Sequence, residues 1–162
     1  MILIALGGNL ASRAGLPAQT LDAARAYISE HGARIVDAAP YYVTPAWPDP
    51  NDPPFVNSVA KVETSLDPHA LMALLHGTET AFGRIRSTRN APRTLDLDLL
   101  DYDGRVEQGP PVLPHPRIAA RAFVLVPLAD VAPGWTHPVT GRSVRALIDA
   151  LPPSELAAIS RA

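Results

Sequence analysis

Arg93-Thr94-Leu95-Asp96-Leu97-Asp98-Leu99-Leu100, entered through Ala91-Pro92, is the stretch from which the rest of this chain can be read. Leucine and aspartate alternate from Leu95 to Leu99, the period of a strand buried on one side. Leu95, Leu97 and Leu99 are expected to face a core, with Asp96 and Asp98 projecting together from the opposite face. Residues two apart on a strand are separated by roughly 6.6 Å at the backbone. Two carboxylates leaning toward each other from there can share a divalent cation or bridge a pair. Without a cation they repel and raise each other's pKa. Asp-x-Asp is also what a solvated acidic strand face looks like. Aspartate is disfavoured in strands, however, and two in mid-strand just after an arginine point to a metal site.

Working outward, the segment Arg84–Arg93 carries arginines at 84, 86, 89 and 93 with little apolar content, and is expected to be a mobile loop. Before it, Asp67-Pro68 reads as a helix start, a capping residue with proline at the first helical position. Leu71, Leu74, Leu75, Thr78 and Phe82 continue a helical stripe that ends near Gly83. Phe55–Glu63 alternates as a strand, with Phe55, Asn57, Val59 and Lys61 on one side. Arg34–Thr44 also has strand character. From Pro17 to His31, Leu21, Ala24 and Ile28 form a second helical stripe, stopped by Gly32. Met1–Leu6 reads as a buried strand closed by a Gly7-Gly8-Asn9 turn. No Gly-Lys-Ser/Thr follows those glycines, so a Walker-type phosphate loop is absent.

Past the acidic strand, Tyr102-Asp103-Gly104 turns the chain back. Pro114–Arg121 is irregular or a single helical turn, Ala122–Ala132 is apolar, and Val144–Leu151 supplies a last short helix. The order strand, helix, strand, strand, helix, strand is that of a ferredoxin-like α+β fold: an antiparallel sheet with helices packed on one face. The other face would be free, with Asn57, Asp96 and Asp98 on it and active-site loops as walls. Many unrelated tasks use this architecture, so function must come from the site.

The 162 residues are expected to form one domain. A net charge of −2 gives no long-range attraction to nucleic acid or anionic membrane. There is no cysteine, which excludes thiolate catalysis, zinc-thiolate sites and disulfides. Met1–Leu6 lacks the basic start of a signal peptide, and no segment reaches the ~20 apolar residues of a membrane span. A soluble, cytoplasmic protein is expected. Proline is high, at 18 residues, and clusters at 45–54 and 110–116, where stiff ordered loops are expected.

The segment Ala91–Leu100 closely resembles the signature of hydroxymethyl-dihydropterin pyrophosphokinases. Ala5-Leu6-Gly7-Gly8-Asn9-Leu10 is similar to that family's N-terminal turn. Tyr42-Val43-Thr44-Pro45 with Phe55-Val56-Asn57 is similar to its pterin segment, and Pro114-His115-Pro116 with Arg121-Ala122-Phe123 to its last active-site stretch. The resemblance implies transfer of the terminal pyrophosphate of ATP to the hydroxymethyl group of a reduced pterin, releasing AMP. It implies that Asp96 and Asp98 hold two Mg²⁺ ions, a role suited to hard cations and oxygen ligands. Arg84 and Arg93 match catalytic phosphate contacts. His115, Arg121, Glu79 and Leu99 match nucleotide-site positions, although by residue type alone Glu79 would be an exposed helical glutamate.

For the pterin, Asn57 matches the residue that hydrogen-bonds the ring, and Phe55 with Phe123 the aromatic pair that sandwiches it. Thr44, Ala46 and Trp47 lie where backbone groups complete the pocket. The chain departs from relatives at Asn90 and at Pro116, where the family can carry aromatics. The expected partners are ATP and the pterin, with neither nucleic acid nor membrane, and the protein is expected to be a monomer. No general base is evident. A ferredoxin-like RNA-binding module would need exposed aromatics and a basic platform where this chain has an acidic pair. A carboxylate-metal phosphohydrolase would need further acidic or histidine ligands, and the remaining histidines are scattered.

Overall fold

A computed structural model describes residues 1–162. Strands β1 (Ile2–Gly8), β2 (Ala33–Ala38), β3 (Tyr42–Thr44), β4 (Phe55–Thr64) and β5 (Asp96–Tyr102) are interleaved with helices α1 (Pro17–Glu30) and α2 (Pro68–Ala81). A small hairpin, β6 (Glu107–Gln108) and β7 (Val112–Leu113), follows. Then come a 3₁₀ turn at Ile118–Ala120, α3 (Ala122–Val131), α4 (Val144–Asp149), α5 (Pro153–Ala157) and a last strand, β8 (Ser160–Arg161). The main sheet runs β5-β1-β4-β3-β8, with β2 also paired to β4, and every pairing is antiparallel. That is the expected ferredoxin-like arrangement, with β2 and β3 sharing the place of one strand.

The alternation in β5 works as read. Leu95, Leu97 and Leu99 join Ile2, Ile4 and Leu6 of β1 against Leu21, Ala24 and Ile28 of α1 and Leu71 and Leu75 of α2. The start of α2 is capped, Asp67 accepting from the Ala70 N–H at 2.8 Å. Three expectations are corrected, and one stretch left open is filled. The second sheet face is not free: α3, α4 and the 3₁₀ turn cover part of it, burying Leu3, Val59 and Leu100 under Ile118, Leu125, Leu128 and Trp135. The tail adds α5 and β8, which the sequence reading left unassigned. The Arg34–Thr44 strand is broken in two, because Pro40 can give no ladder hydrogen bond. Gly7 and Gly8 are the last residues of β1 and make no turn.

The reason for those two glycines is close approach. A Cβ on Gly8 would stand 2.5 Å from the Thr94 carbonyl oxygen, and one on Gly7 would stand 2.9 Å from Oδ1 of Asn57. The register explains the second contact. Gly7 pairs with Asn57 of β4 on one side and with Asp96 of β5 on the other. Ala5 likewise stands between Val59 and Asp98. A register shift opposite Leu3 and Ile4 turns both Leu100 and Asp101 toward the second face, where Asp101 accepts from Trp135 Nε1 at 2.7 Å.

Candidate active site

The part of the second face that α3 leaves open is a cleft of about 350 Å³ between the loop 84–93, β5 and the segment around Arg117 and Arg121. Its lining includes six arginines (84, 86, 89, 93, 117 and 121) against three carboxylates, Glu79, Asp96 and Asp98. The strand places Asp96 and Asp98 side by side, each partly exposed to the cleft.

Asp96 is held by arginines. Arg84 Nη1 donates to its Oδ1 at 2.6 Å, and Arg93 Nη1 to Oδ2 at 3.4 Å. Asp98 faces His115 Nε2 at 3.7 Å and Arg121 Nη1 at 3.6 Å. His115 is brought there by its backbone N–H, which donates to the Leu100 carbonyl at the outer edge of β5. Its Nδ1 accepts from the Arg117 N–H at 3.1 Å, so the neutral ring carries its proton on Nε2, toward Asp98. Burial, and then the Asp96 charge, push the Asp98 carboxyl above its ordinary range, against the pull of His115 and Arg121. Burial pushes His115 down, despite Asp98.

Glu79 is the largest revision. It is buried, 2 % exposed, so the reading as an exposed helical glutamate is wrong. Oε1 accepts from Arg84 Nη1 at 2.7 Å and from the Leu97 N–H at 2.8 Å, while Oε2 accepts from Arg86 at 2.8 Å. The Leu97 amide lies between the two aspartates, so one side chain fixes both the acidic strand and its arginines. Burial raises the Glu79 pKa, opposed by the Leu97 N–H and Arg84. For Arg84, burial works against the charge, yet Asp96 and Glu79 carry its pKa upward. Arg84 is thus already seated between Asp96 and Glu79.

Of the expected ring-binding residues, Asn57 lies beside Gly7. Asn57 is buried and donates from Nδ2 to Thr44 Oγ1 at 2.9 Å. Phe55 and Phe123 belong to neither apolar cluster. Phe123 is 38 % exposed in the first turn of α3, with Arg121 over its ring at 5.4 Å, and Arg93 lies over Phe55 at 5.5 Å. Ala46 is buried and Trp47 is 73 % exposed. Leu99 faces the core and is 3 % exposed, which leaves only its backbone for a ligand.

Sequence reasoning missed Asn9. This buried side chain donates to the Pro53 carbonyl at 2.9 Å and accepts from the Arg93 N–H at 2.8 Å, joining the proline-rich loop to the arginine loop. A polar residue directly after a buried apolar strand was the available signal. Arg86, named above among the loop arginines, lines the cleft, as do His76 and Arg117, which were not singled out.

For a divalent cation, the chain offers no group of three or more histidine, aspartate or glutamate side chains. Two adjacent carboxylates with open space before them fit Mg²⁺, which keeps several waters and takes one or two carboxylates plus substrate phosphates. A metal caged by protein alone does not fit.

Comparisons with known proteins identify the family. A family described as 7,8-dihydro-6-hydroxymethylpterin-pyrophosphokinase (HPPK) matches residues 3–133. A 2-amino-4-hydroxy-6-hydroxymethyldihydropteridine pyrophosphokinase of Methylorubrum extorquens is 37% identical over 152 residues, 93% of each chain. One of Pseudomonas aeruginosa is 39% identical over 153 residues, covering 93% of this chain and 91% of the relative. A solved HPPK-DHPS in complex with substrates superposes with a TM-score of 0.68 at 13% identity; it covers 92% of this chain, which spans 43% of the solved chain. That likeness concerns the fold. The match over residues 3–133 and the two near-full-length relatives place the chain in the HPPK family.

Proposed function

We infer that this protein transfers pyrophosphate from ATP to the hydroxymethyl group of 6-hydroxymethyl-7,8-dihydropterin, giving the pterin diphosphate and AMP, in folate biosynthesis. Membership of the HPPK family supports it. The observation that carries it at the site is the row Asn57–Gly7–Asp96 across three strands. Neighbouring strands lie about 4.8 Å apart. An amide and a carboxylate flanking a bare glycine therefore leave room for a hydroxymethyl group to meet a phosphate.

In this reading the pterin ring stacks between Phe55 and Phe123, hydrogen-bonds Asn57, and is closed in by Thr44, Ala46 and Trp47. ATP enters from the arginine side, its triphosphate facing Arg84, Arg93, Arg121 and His115, and its adenosine reaching toward the Leu99 backbone. Asp96 and Asp98 would hold two Mg²⁺ ions, which would supply charge neutralisation and polarisation at the triphosphate. The hydroxymethyl oxygen attacks the β-phosphorus, the Pα–O–Pβ bridge breaks, and AMP leaves with the bridging oxygen. The hydroxyl proton departs to solvent or phosphate, and no side chain is assigned as base. Arginine suits a site with no phosphate loop, through fixed charge and bidentate geometry.

Residues 1–162 are read as one pyrophosphokinase unit, a cytoplasmic monomer whose partners are its two small substrates. No helix is long and apolar enough to cross a membrane. The test is incubation with MgATP and the pterin alcohol, followed by nucleotide chromatography. AMP appearing only when the pterin is present is expected. ADP, or phosphate release without pterin, would instead indicate a kinase or a phosphohydrolase.

A further inference from the structure

One contact away from the cleft joins the strand and the helix that carry different sides of the proposed pterin pocket. The Tyr42 hydroxyl, on β3, donates to Asp130 Oδ2 at 2.6 Å. Asp130 stands in the last turn of α3, whose first turn carries Phe123. The other oxygen of Asp130 lies 3.6 Å from Arg161 of β8, and the Arg161 guanidinium lies 5.8 Å from the Tyr42 ring centroid.

The register makes this contact relevant to the site. Tyr42 pairs with Arg161 on one side and with Asn57 on the other, and Asn57 pairs with Gly7, which pairs with Asp96. Tyr42 is therefore the immediate neighbour of Asn57 on the ligand-facing side of the sheet. It is also two residues from Thr44, which holds the Asn57 amide.

The helix sequence, Ala122-Phe-Val-Leu-Val-Pro-Leu-Ala-Asp-Val131, contains one polar side chain, and it is Asp130. Apolar burial is non-directional, so the leucines and valines of α3 fix its distance from the sheet better than its position along it. A charge-assisted hydrogen bond is directional. β3 is only three residues long, and the strand on its outer side, β8, has two.

We propose that Asp130 is a positioning residue for the pterin: by tying Tyr42 to α3, with Arg161 as a clamp, it sets the spacing between the Asn57–Thr44 rim and Phe123. The proposal rests on the pterin reading given above. Burial and the bond to Asp130 both raise the Tyr42 pKa, which keeps the hydroxyl a donor.

Three variants test it: Tyr42→Phe, Asp130→Ala and Asp130→Asn, the last retaining an acceptor for the hydroxyl. Dissociation constants are measured by calorimetry for a non-hydrolysable MgATP analogue alone, and for the pterin with that analogue present. Tyr42→Phe and Asp130→Ala are expected to weaken the pterin about tenfold while leaving the nucleotide within about twofold, and Asp130→Asn to restore most of the pterin affinity. Tyr42→Phe keeps the ring and so keeps a folded protein to measure. Unchanged pterin affinity in folded Tyr42→Phe, or equal weakening of both ligands, would overturn the proposal. A parent protein that binds the nucleotide but not the pterin would reject the pterin reading itself, and with it this inference.

Discussion

Asn57 and Asp96 pair with the same glycine, Gly7, from opposite sides of β1, so the amide assigned to the pterin and the carboxylate assigned to the metal are second neighbours in one cross-strand row. A side chain between them would displace one or the other. Gly7→Ala puts a Cβ 2.9 Å from Asn57 Oδ1. It is expected to weaken the pterin by on the order of 1–3 kcal/mol, as Asn57→Ala and Phe123→Ala should, through a lost buried hydrogen bond or stacked ring. Affinity for MgATP alone should change much less. Calorimetric titration of each ligand checks this; equal losses for both would show a general packing role.

Arg84 shares its Nη1 group between Asp96 and Glu79. A cation arriving at Asp96 must take Oδ1 from the guanidinium, which can stay on Glu79 and turn toward phosphate. Arg84→Ala is therefore expected to lower turnover about 10²-fold without weakening Mg²⁺ binding to the free protein. A Mg²⁺ titration alongside steady-state kinetics separates the two effects. Weaker Mg²⁺ binding in the variant would contradict competition between Arg84 and the metal.

Glu79 anchors two arginines and the Leu97 amide from a buried position. Removing one partner of such a network leaves a buried charge uncompensated. Glu79→Ala should lose about 3 kcal/mol of stability in urea unfolding, and turnover should fall with Arg84 left to Asp96 alone. A loss below about 0.5 kcal/mol, the usual range for surface substitutions, would contradict the geometry.

Asp98 links stability to pH. Burial and then Asp96 raise its pKa in the folded chain. A raised carboxyl binds protons better folded than unfolded, so between the ordinary carboxylate pKa and the raised one stability falls as pH rises. In Mg²⁺-free buffer at neutral pH, Asp98→Asn is expected to melt about 2–4 °C above the parent, with the gap closing as pH drops through the carboxylate range. Mg²⁺ with nucleotide should reverse the order, because only the parent binds both tightly. Calorimetric melts across pH decide it, and a variant that melts lower at neutral pH without Mg²⁺ would refute it.

The strand β5, the capped start of α2 and the shared face of Asn57, Asp96 and Asp98 were legible because each rests on a local period or cap. What stayed hidden depends on distant contacts. Gly7 and Gly8 looked like a turn, since their real constraint is the approach of Asn57 on β4 and of Thr94 just before β5. Helix α3 was read only as apolar, because nine of its ten residues carry no polar side chain and show no one-sided stripe. Glu79 looked exposed because its partners, Arg84, Arg86 and the Leu97 amide, meet it only once α2 packs beside β5.

The most direct measurement follows the β-phosphorus. With ATP labelled at that position, Mg²⁺ and the pterin alcohol, label should enter the pterin product in step with AMP formation, and Asp96→Asn or Asp98→Asn should largely abolish both. Label retained in ADP, with only the γ-phosphoryl on the pterin, would contradict pyrophosphoryl transfer. Near-normal turnover and unchanged Mg²⁺ dependence in either variant would contradict the site assigned to it.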